Sequence, residues 1–310
     1  MKNIIFTAVL GLSASVAMAQ QEQMYTHYDL NSLAMNPAYA GTPRTFTALA
    51  MRRTQWTDWP GAPVYNNLAV HSPIGKDVAL GFNVQSGTIG KFQQASPLGE
   101  THIGLNLAYH KSLNDDWRMA VGLRTGLFNY RLEMTKLVLN NPGDGAFSQD
   151  YSITAPMTGF GIYLYSEDAF VAFSSPRMVF VKEDIQNQVD VSYATQMHYY
   201  LTGGVVLDAG PTLKIKPTTQ IKMTNGVPTQ LDVNVHAILN ENLSLGTFYR
   251  TEGDVGLMVN ALLADYFRVL YSYDYRLNRF NGATMGSHEF GVQYQIPYKT
   301  RGRVPVPRFF

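Results

Sequence analysis

The chain contains no cysteine among its 310 residues. This rules out disulfide staples, thiolate chemistry and an acylated N-terminal cysteine of the lipoprotein kind. Charge is also scarce, at 15% of residues against roughly 25% in soluble domains. The signs nearly cancel, with 24 basic and 23 acidic side chains, so bulk electrostatics attracts no nucleic acid. After residue 19 no apolar run reaches the roughly 20 residues a membrane helix needs. Aromatic residues, by contrast, are abundant: 19 Tyr and 16 Phe. A tyrosine-rich, charge-poor chain without membrane helices suits a transmembrane barrel, in which only alternate strand residues meet lipid.

The first residues have the form of an export signal. Lys2 and Asn3 precede a short apolar stretch from Ile4 to Val16, and Ala17-Met18-Ala19 supplies the small-x-small pattern of a cleavage site before Gln20. The apolar stretch is short for an anchoring helix. The expected organisation is a signal peptide over 1–19, a periplasmic N-terminal segment over 20–43, an outer-membrane β-barrel over 44–298 and a periplasmic tail over 299–310.

Period-2 alternation predicts the strands. From Gln230 to Asn240, residues Leu231, Val233, Val235, Ala237 and Leu239 share one face, opposite Gln230, Asp232, Asn234, His236 and Asn240, with Ile238 the exception. A helix would scramble these residues around its axis. Thr101–His110, Trp117–Phe128, Phe267–Tyr275 and His288–Ile296 behave alike. In them Arg118, Arg124, Arg268, Asp274 and Glu289 take the polar face together with His102 and His110. In a barrel these residues point inward, and their mixed signs suggest ion pairs across a filled lumen rather than a charge-selective constriction.

The pattern predicts an all-β transmembrane antiparallel barrel of about 14 strands. These start near Thr45, Val64, Asp77, Thr101, Trp117, Thr158, Ala169, Gln196, Pro211, Thr229, Asn242, Val255, Phe267 and Ser287. Junctions after even strands are short. Those after odd strands are mostly long, Thr251–Asp254 excepted, as expected for short periplasmic turns and long extracellular loops.

Four residues are candidates for partner binding. Trp56 and Trp59 fall on the first long loop, where they can serve an aromatic girdle or a protein contact. Asn36 and Tyr39 belong to Asn36-Pro37-Ala38-Tyr39-Ala40-Gly41, before the first strand. Its Pro and Gly fix turns, and the segment can also plug the barrel or meet a partner. No catalytic, cofactor or metal site emerges. The seven histidines lack zinc spacing. Asn140–Asp150 lacks the acidic spacing of a calcium loop, and no Ser-His-Asp constellation or nucleophile elbow is present. The tail carries Arg301, Arg303 and Arg308 together with Pro305 and Pro307, and those prolines block strand addition.

An ordered series of short motifs resembles the PorP/SprF family from about Gln23 to the C-terminus. After the Asn36–Gly41 segment come Arg53-Thr54-Gln55-Trp56, Gly61-Ala62-Pro63 and His71-Ser72-Pro73-Ile74-Gly75. The middle of the chain has Phe160-Gly161-Ile162-Tyr163-Leu164-Tyr165, Ser175-Pro176-Arg177 and His198-Tyr199-Tyr200-Leu201-Thr202-Gly203-Gly204. Tyr249-Arg250-Thr251, Tyr271-Ser272-Tyr273-Asp274-Tyr275 and Gly286-Ser287-His288-Glu289 follow. The resemblance implies a non-enzymatic outer-membrane component of type IX secretion and gliding motility, needed for export or surface attachment of a secreted adhesin-type cargo. It also implies contact with other secretion components, including peptidoglycan-linked periplasmic proteins, and with membrane lipid and lipopolysaccharide. The alternatives are a transport channel, porin or fatty-acid-transporter-like, and a membrane-bound hydrolase.

Overall fold

A computed structural model describes residues 23–90, 98–136, 148–179, 197–264, 266–277, 284–298 and 309–310. Its strands are β1 (Thr45–Thr54), β2 (Val64–Pro73), β3 (Val78–Ile89), β4 (Leu98–Ser112), β5 (Arg118–Leu132), β6 (Tyr151–Tyr165), β7 (Ala169–Val179) and β8 (His198–Val205). They continue with β9 (Leu207–Asp208), β10 (Leu213–Thr224), β11 (Val227–Leu239), β12 (Leu243–Arg250), β13 (Asp254–Ala264), β14 (Phe267–Arg276) and β15 (Ser287–Pro297). Both β8 and β9 pair with β10, so they are two pieces of one stave interrupted at Val206. The wall therefore has 14 staves. All pairings are antiparallel, and β1 pairs with β15 from Thr45↔Pro297 to Thr54↔His288, closing the barrel. Closure leaves no sheet edge to carry unpaired amides into lipid.

The alternation sorts outside from inside. Leu123 and Leu257 are 67% and 68% exposed, and Leu105, Leu107, Val121, Tyr271 and Phe290 join them on the outer surface. Arg118, Arg124, Asp232, Asp274 and Glu289 are buried in the lumen. Each apolar face costs little in lipid, and each charge has a partner within a polar interior.

Thirteen of the expected starts lie close to the observed ones; β6 starts at Tyr151 rather than near Thr158. The added turn of strand is silent in the sequence because Ser152, Thr154 and Pro156 occupy its outward positions. It is held instead by β5, through pairs out to Leu132↔Tyr151. A second short connection interrupts the long-loop series, since β10 and β11 are joined by a tight hairpin through Gly226 at φ 78°. Gly226 supplies the left-handed conformation this turn requires. The ends are thus distinguishable. One carries the tight turns, such as 74–77, 166–168 and 240–242. The other carries the connections 55–63 and 277–286.

The segment before the first strand lies within the wall. Every residue from 23 to 42 is buried inside the barrel. It forms one helical turn, Ser32–Met35, and a 3₁₀ turn, Pro37–Tyr39. Its many apolar and aromatic residues (Tyr25, Tyr28, Leu30, Leu33, Met35, Tyr39) are what the lumen shields from water. At the end of the tail, Phe309 and Phe310 are buried against the same segment. The expected signal peptide over 1–19, most of the tail and most of the 140–150 loop lie outside the described residues. Within that loop, Asp150 accepts hydrogen bonds from Thr135 N and Oγ1, both at 2.9 Å.

Candidate functional site in the barrel lumen

Two unlike walls hold the inserted segment. One is flat. On β3 to β6 the luminal positions near the short-turn end include Ala79, Ala108, Ala120, Gly122 and Gly161, and Gly122 pairs with Gly161. The Pro37–Tyr39 turn sits directly on that glycine pair. A Cβ at Gly122 would overlap the backbone of Ala38, and one at Gly161 would overlap the Asn36 side chain. Asn36 is itself fixed twice. Its Oδ1 accepts from Ala38 N at 2.9 Å, capping the turn, and its Nδ2 donates to Ile162 O at 3.0 Å. Two histidines hold the segment's exit. His110 Nε2 donates to Ala40 O at 2.8 Å while its Nδ1 takes the Tyr165 hydroxyl at 2.9 Å, and Gly41 N donates to His71 Nδ1 at 3.1 Å. The Ala40 carbonyl fixes His110 Nε2 as a donor, and the Gly41 amide fixes His71 Nδ1 as an acceptor.

The other wall is charged. From β1 and β10 to β15, luminal Arg53, Asp274, Arg250, Asp232, Lys222, Asp254 and Arg276 form one network. Its contacts include Arg53–Asp274 at 2.5 Å, Lys222–Asp232 at 2.9 Å and a two-pronged Arg276–Asp254 pair at 2.8 and 3.1 Å. The segment completes this network. Glu289 accepts from two consecutive amides, Thr26 N at 2.8 Å and His27 N at 2.9 Å. The Thr26 hydroxyl donates to Asp274, and Asn234 Nδ2 donates to Thr26 O at 3.1 Å. Further along, Asp29 meets Lys216 at 2.5 Å and the Tyr28 hydroxyl meets Thr218 at 3.1 Å. Burial opposes a charge on Asp29, but Lys216, then His236 and His27, hold its carboxyl well below the usual range.

Arg124 joins the flat wall and β7 to the inserted segment. Its Nε donates to Asn106 Oδ1 at 2.7 Å, and its guanidinium donates to the carbonyls of Leu33 and Ala34 at 2.5 and 3.0 Å. It also reaches Pro176 O at 3.4 Å, where β7 bulges against Gly159. Ser174 donates to Met35 O at 2.7 Å, and Asn67 Nδ2 to Asn31 Oδ1 at 2.8 Å. Such a plug is immobilised by directional bonds that neither wall could satisfy alone.

The four candidate residues divide into two groups. Asn36 and Tyr39 are deep in the lumen. Tyr39 stands edge-on to His71 and Tyr163, both at 5.5 Å, and its hydroxyl donates to Phe310 O at 2.6 Å. Trp56 and Trp59 are at the long-loop end. Trp56 is partly covered by the Arg276 guanidinium, 4.8 Å from its ring centre, and Trp59 is 44% exposed. Loop 55–63 is clipped to the β14–β15 loop by Thr57 N→Gly286 O at 2.7 Å and Met285 N→Thr57 O at 3.0 Å. The structure therefore brings no candidate from the first group near the second. The residues that sequence reasoning left out are Thr26, Asp29 and Lys216. Asp29 was the visible signal, as the one charged side chain between Gln23 and Thr42.

A closed, 14-stave wall with a lipid-facing apolar surface, around a lumen filled by its own N-terminal segment, defines a plugged outer-membrane β-barrel. The model of the type IX secretion system membrane protein family PorP/SprF matches residues 17–294, and the chain belongs to that family. No curated protein sequence matches it significantly. Among solved structures, the toluene transporter TbuX of Ralstonia pickettii is similar at a TM-score of 0.53 and 10% identity, covering 86% of this chain and 94% of that one. A TodX monoaromatic hydrocarbon channel mutant gives a TM-score of 0.51 at 9% identity, with the same coverage. At these identities the likeness concerns the fold.

Proposed function

We propose that this barrel receives or holds a secreted adhesin-type cargo of type IX secretion, in the service of export, surface attachment and gliding. Its long-loop end faces outward and its tight turns face the periplasm. The observation that carries the reading is the occupied lumen. Residues 23–42 cross it from Glu289 and Asp274, near the long loops, to His71 and His110, near the tight turns. A solute pore needs a continuous water path, whereas a docking platform needs a rigid rim. The rim offers Trp59, with Trp56 and Asp254-anchored Arg276 behind it, on a loop clipped to its neighbour. The tight turns are the face for other secretion components, including peptidoglycan-linked ones. The apolar band meets lipid and, at the outward rim, lipopolysaccharide.

A transport channel is the competing reading, because TbuX and TodX are named for transport of aromatic hydrocarbons. Photo-crosslinkers placed at Trp59 and, on the opposite rim, at exposed Ile74 distinguish the two in intact outer membranes. The expected products are a secreted surface protein at Trp59 and periplasmic components at Ile74. Capture of neither, with export unchanged after shortening loop 55–63 and large stable currents in planar bilayers, would replace the docking reading with the channel.

A further inference from the structure

The wall explains the position of every strand but not that of Phe309 and Phe310. β15 ends at Pro297, at the tight-turn rim, and Pro305 and Pro307 exclude a ladder between it and the two aromatic residues. Both rings nevertheless lie inside the mouth of the lumen. The Phe310 ring packs on Phe170 at 4.5 Å and 65°, with Lys216 Nζ 5.5 Å from its centre. The Phe309 ring has Lys214 Nζ 5.4 Å from its centre. It also covers Ile238, the single apolar residue on the otherwise polar face of β11. A cavity of about 10 Å³ beside it, lined by Ser244, Asn260 and Arg268, has room for about one water molecule.

The backbone is recognised as well as the rings. Lys216 donates to Phe309 O at 2.8 Å, and Tyr39 donates to Phe310 O at 2.6 Å. Both donors also serve the plug: Lys216 holds Asp29, and Tyr39 belongs to the segment that sits on Gly122 and Gly161. The two aromatic residues therefore close the only described contacts that join tail, plug and wall at this end.

We propose that the tight-turn mouth is a binding site for two consecutive aromatic residues, filled in cis by Phe309–Phe310, and that its occupancy latches residues 23–42 in the lumen. A partner that draws the tail out of this mouth would loosen the plug without breaking a wall pair. The proposal is independent of which cargo the opposite rim takes.

Backbone hydrogen exchange on the full chain in detergent tests it. In Phe309→Ala/Phe310→Ala, residues 28–31 and 38–42 are expected to exchange about tenfold faster while β4 and β5 keep their protection. A synthetic peptide with the sequence of residues 303–310 should restore slow exchange, and the same peptide ending in Ala-Ala should not. Unchanged plug exchange, faster exchange spread equally over plug and wall, or failure of the peptide to restore it would each overturn the latch. Should the double variant not assemble, Tyr39→Phe removes only the hydroxyl bond to Phe310. Faster exchange confined to 38–42 would support the latch, and none would overturn it.

Discussion

Single side chains decide whether the plug is seated. Gly122 is the most restrictive, because any side chain there meets the Ala38 backbone rather than a movable group. Gly122→Val should displace the Pro37–Tyr39 turn while sparing the strand, whose Val121 and Thr125 show that it tolerates branched residues. The expected outcome is unchanged β content by circular dichroism with rapid proteolysis within 23–42. Arg124→Ala leaves the carbonyls of Leu33 and Ala34 without their donor in a buried site. It should weaken plug docking by about 3 kcal/mol, measured as exchange at residues 33–37. The pH response follows from Asp29. Its folded pKa is depressed, so its contribution is complete above the ordinary value of 3.8 and is lost only as pH falls toward the lowered one. The Asp29 contribution to plug protection should therefore be flat from pH 7 to about 4, and Asp29→Asn should lower protection throughout that range.

At the scale of elements, the plug and the barrel are held by different kinds of contact. The wall is a continuous ladder of backbone bonds. The plug is held by side chains reading its amides and carbonyls, through Glu289, Arg124, His110 and Asn234. The barrel should therefore outlast the plug. Because the chain has no cysteine, Asn31→Cys with Asn67→Cys introduces one defined pair where these side chains now meet at 2.8 Å. A short bis-methanethiosulfonate crosslinker should join plug to β2, detected as a mobility shift reversed by reductant. Absence of the link in folded protein would show that Asn31 does not sit against β2.

At the scale of the molecule, the charge balance has a consequence. A near-neutral chain has concentrated its ionic residues in the lumen, where Arg53, Arg250, Asp274 and Glu289 are all buried. Lipid sees leucine, tyrosine and phenylalanine. Salt should then leave thermal stability of the barrel nearly unchanged, since buried pairs are poorly screened. A melting temperature that falls steeply between low and high ionic strength would contradict this placement.

Local chemistry determined the wall. Alternation at Leu231 to Leu239 or Ile103 to Tyr109 reports a strand because each residue must answer only to lipid or lumen, a choice visible one position at a time. Loop length marked the two ends for the same reason. Where outward residues were polar, as at Ser152 and Thr154 of β6, that report fell silent and pairing with β5 set the boundary. The seat of Asn36 and Tyr39, the pairing of Asp29 with Lys216 and the return of Phe309–Phe310 were decided by tertiary structure. They join residues far apart along the chain, and no period in the sequence records which distant carboxylate or carbonyl will complete a given hydrogen bond. Glycines and alanines line the wall opposite the plug. Only the closed barrel shows that they are small because another part of the chain lies against them.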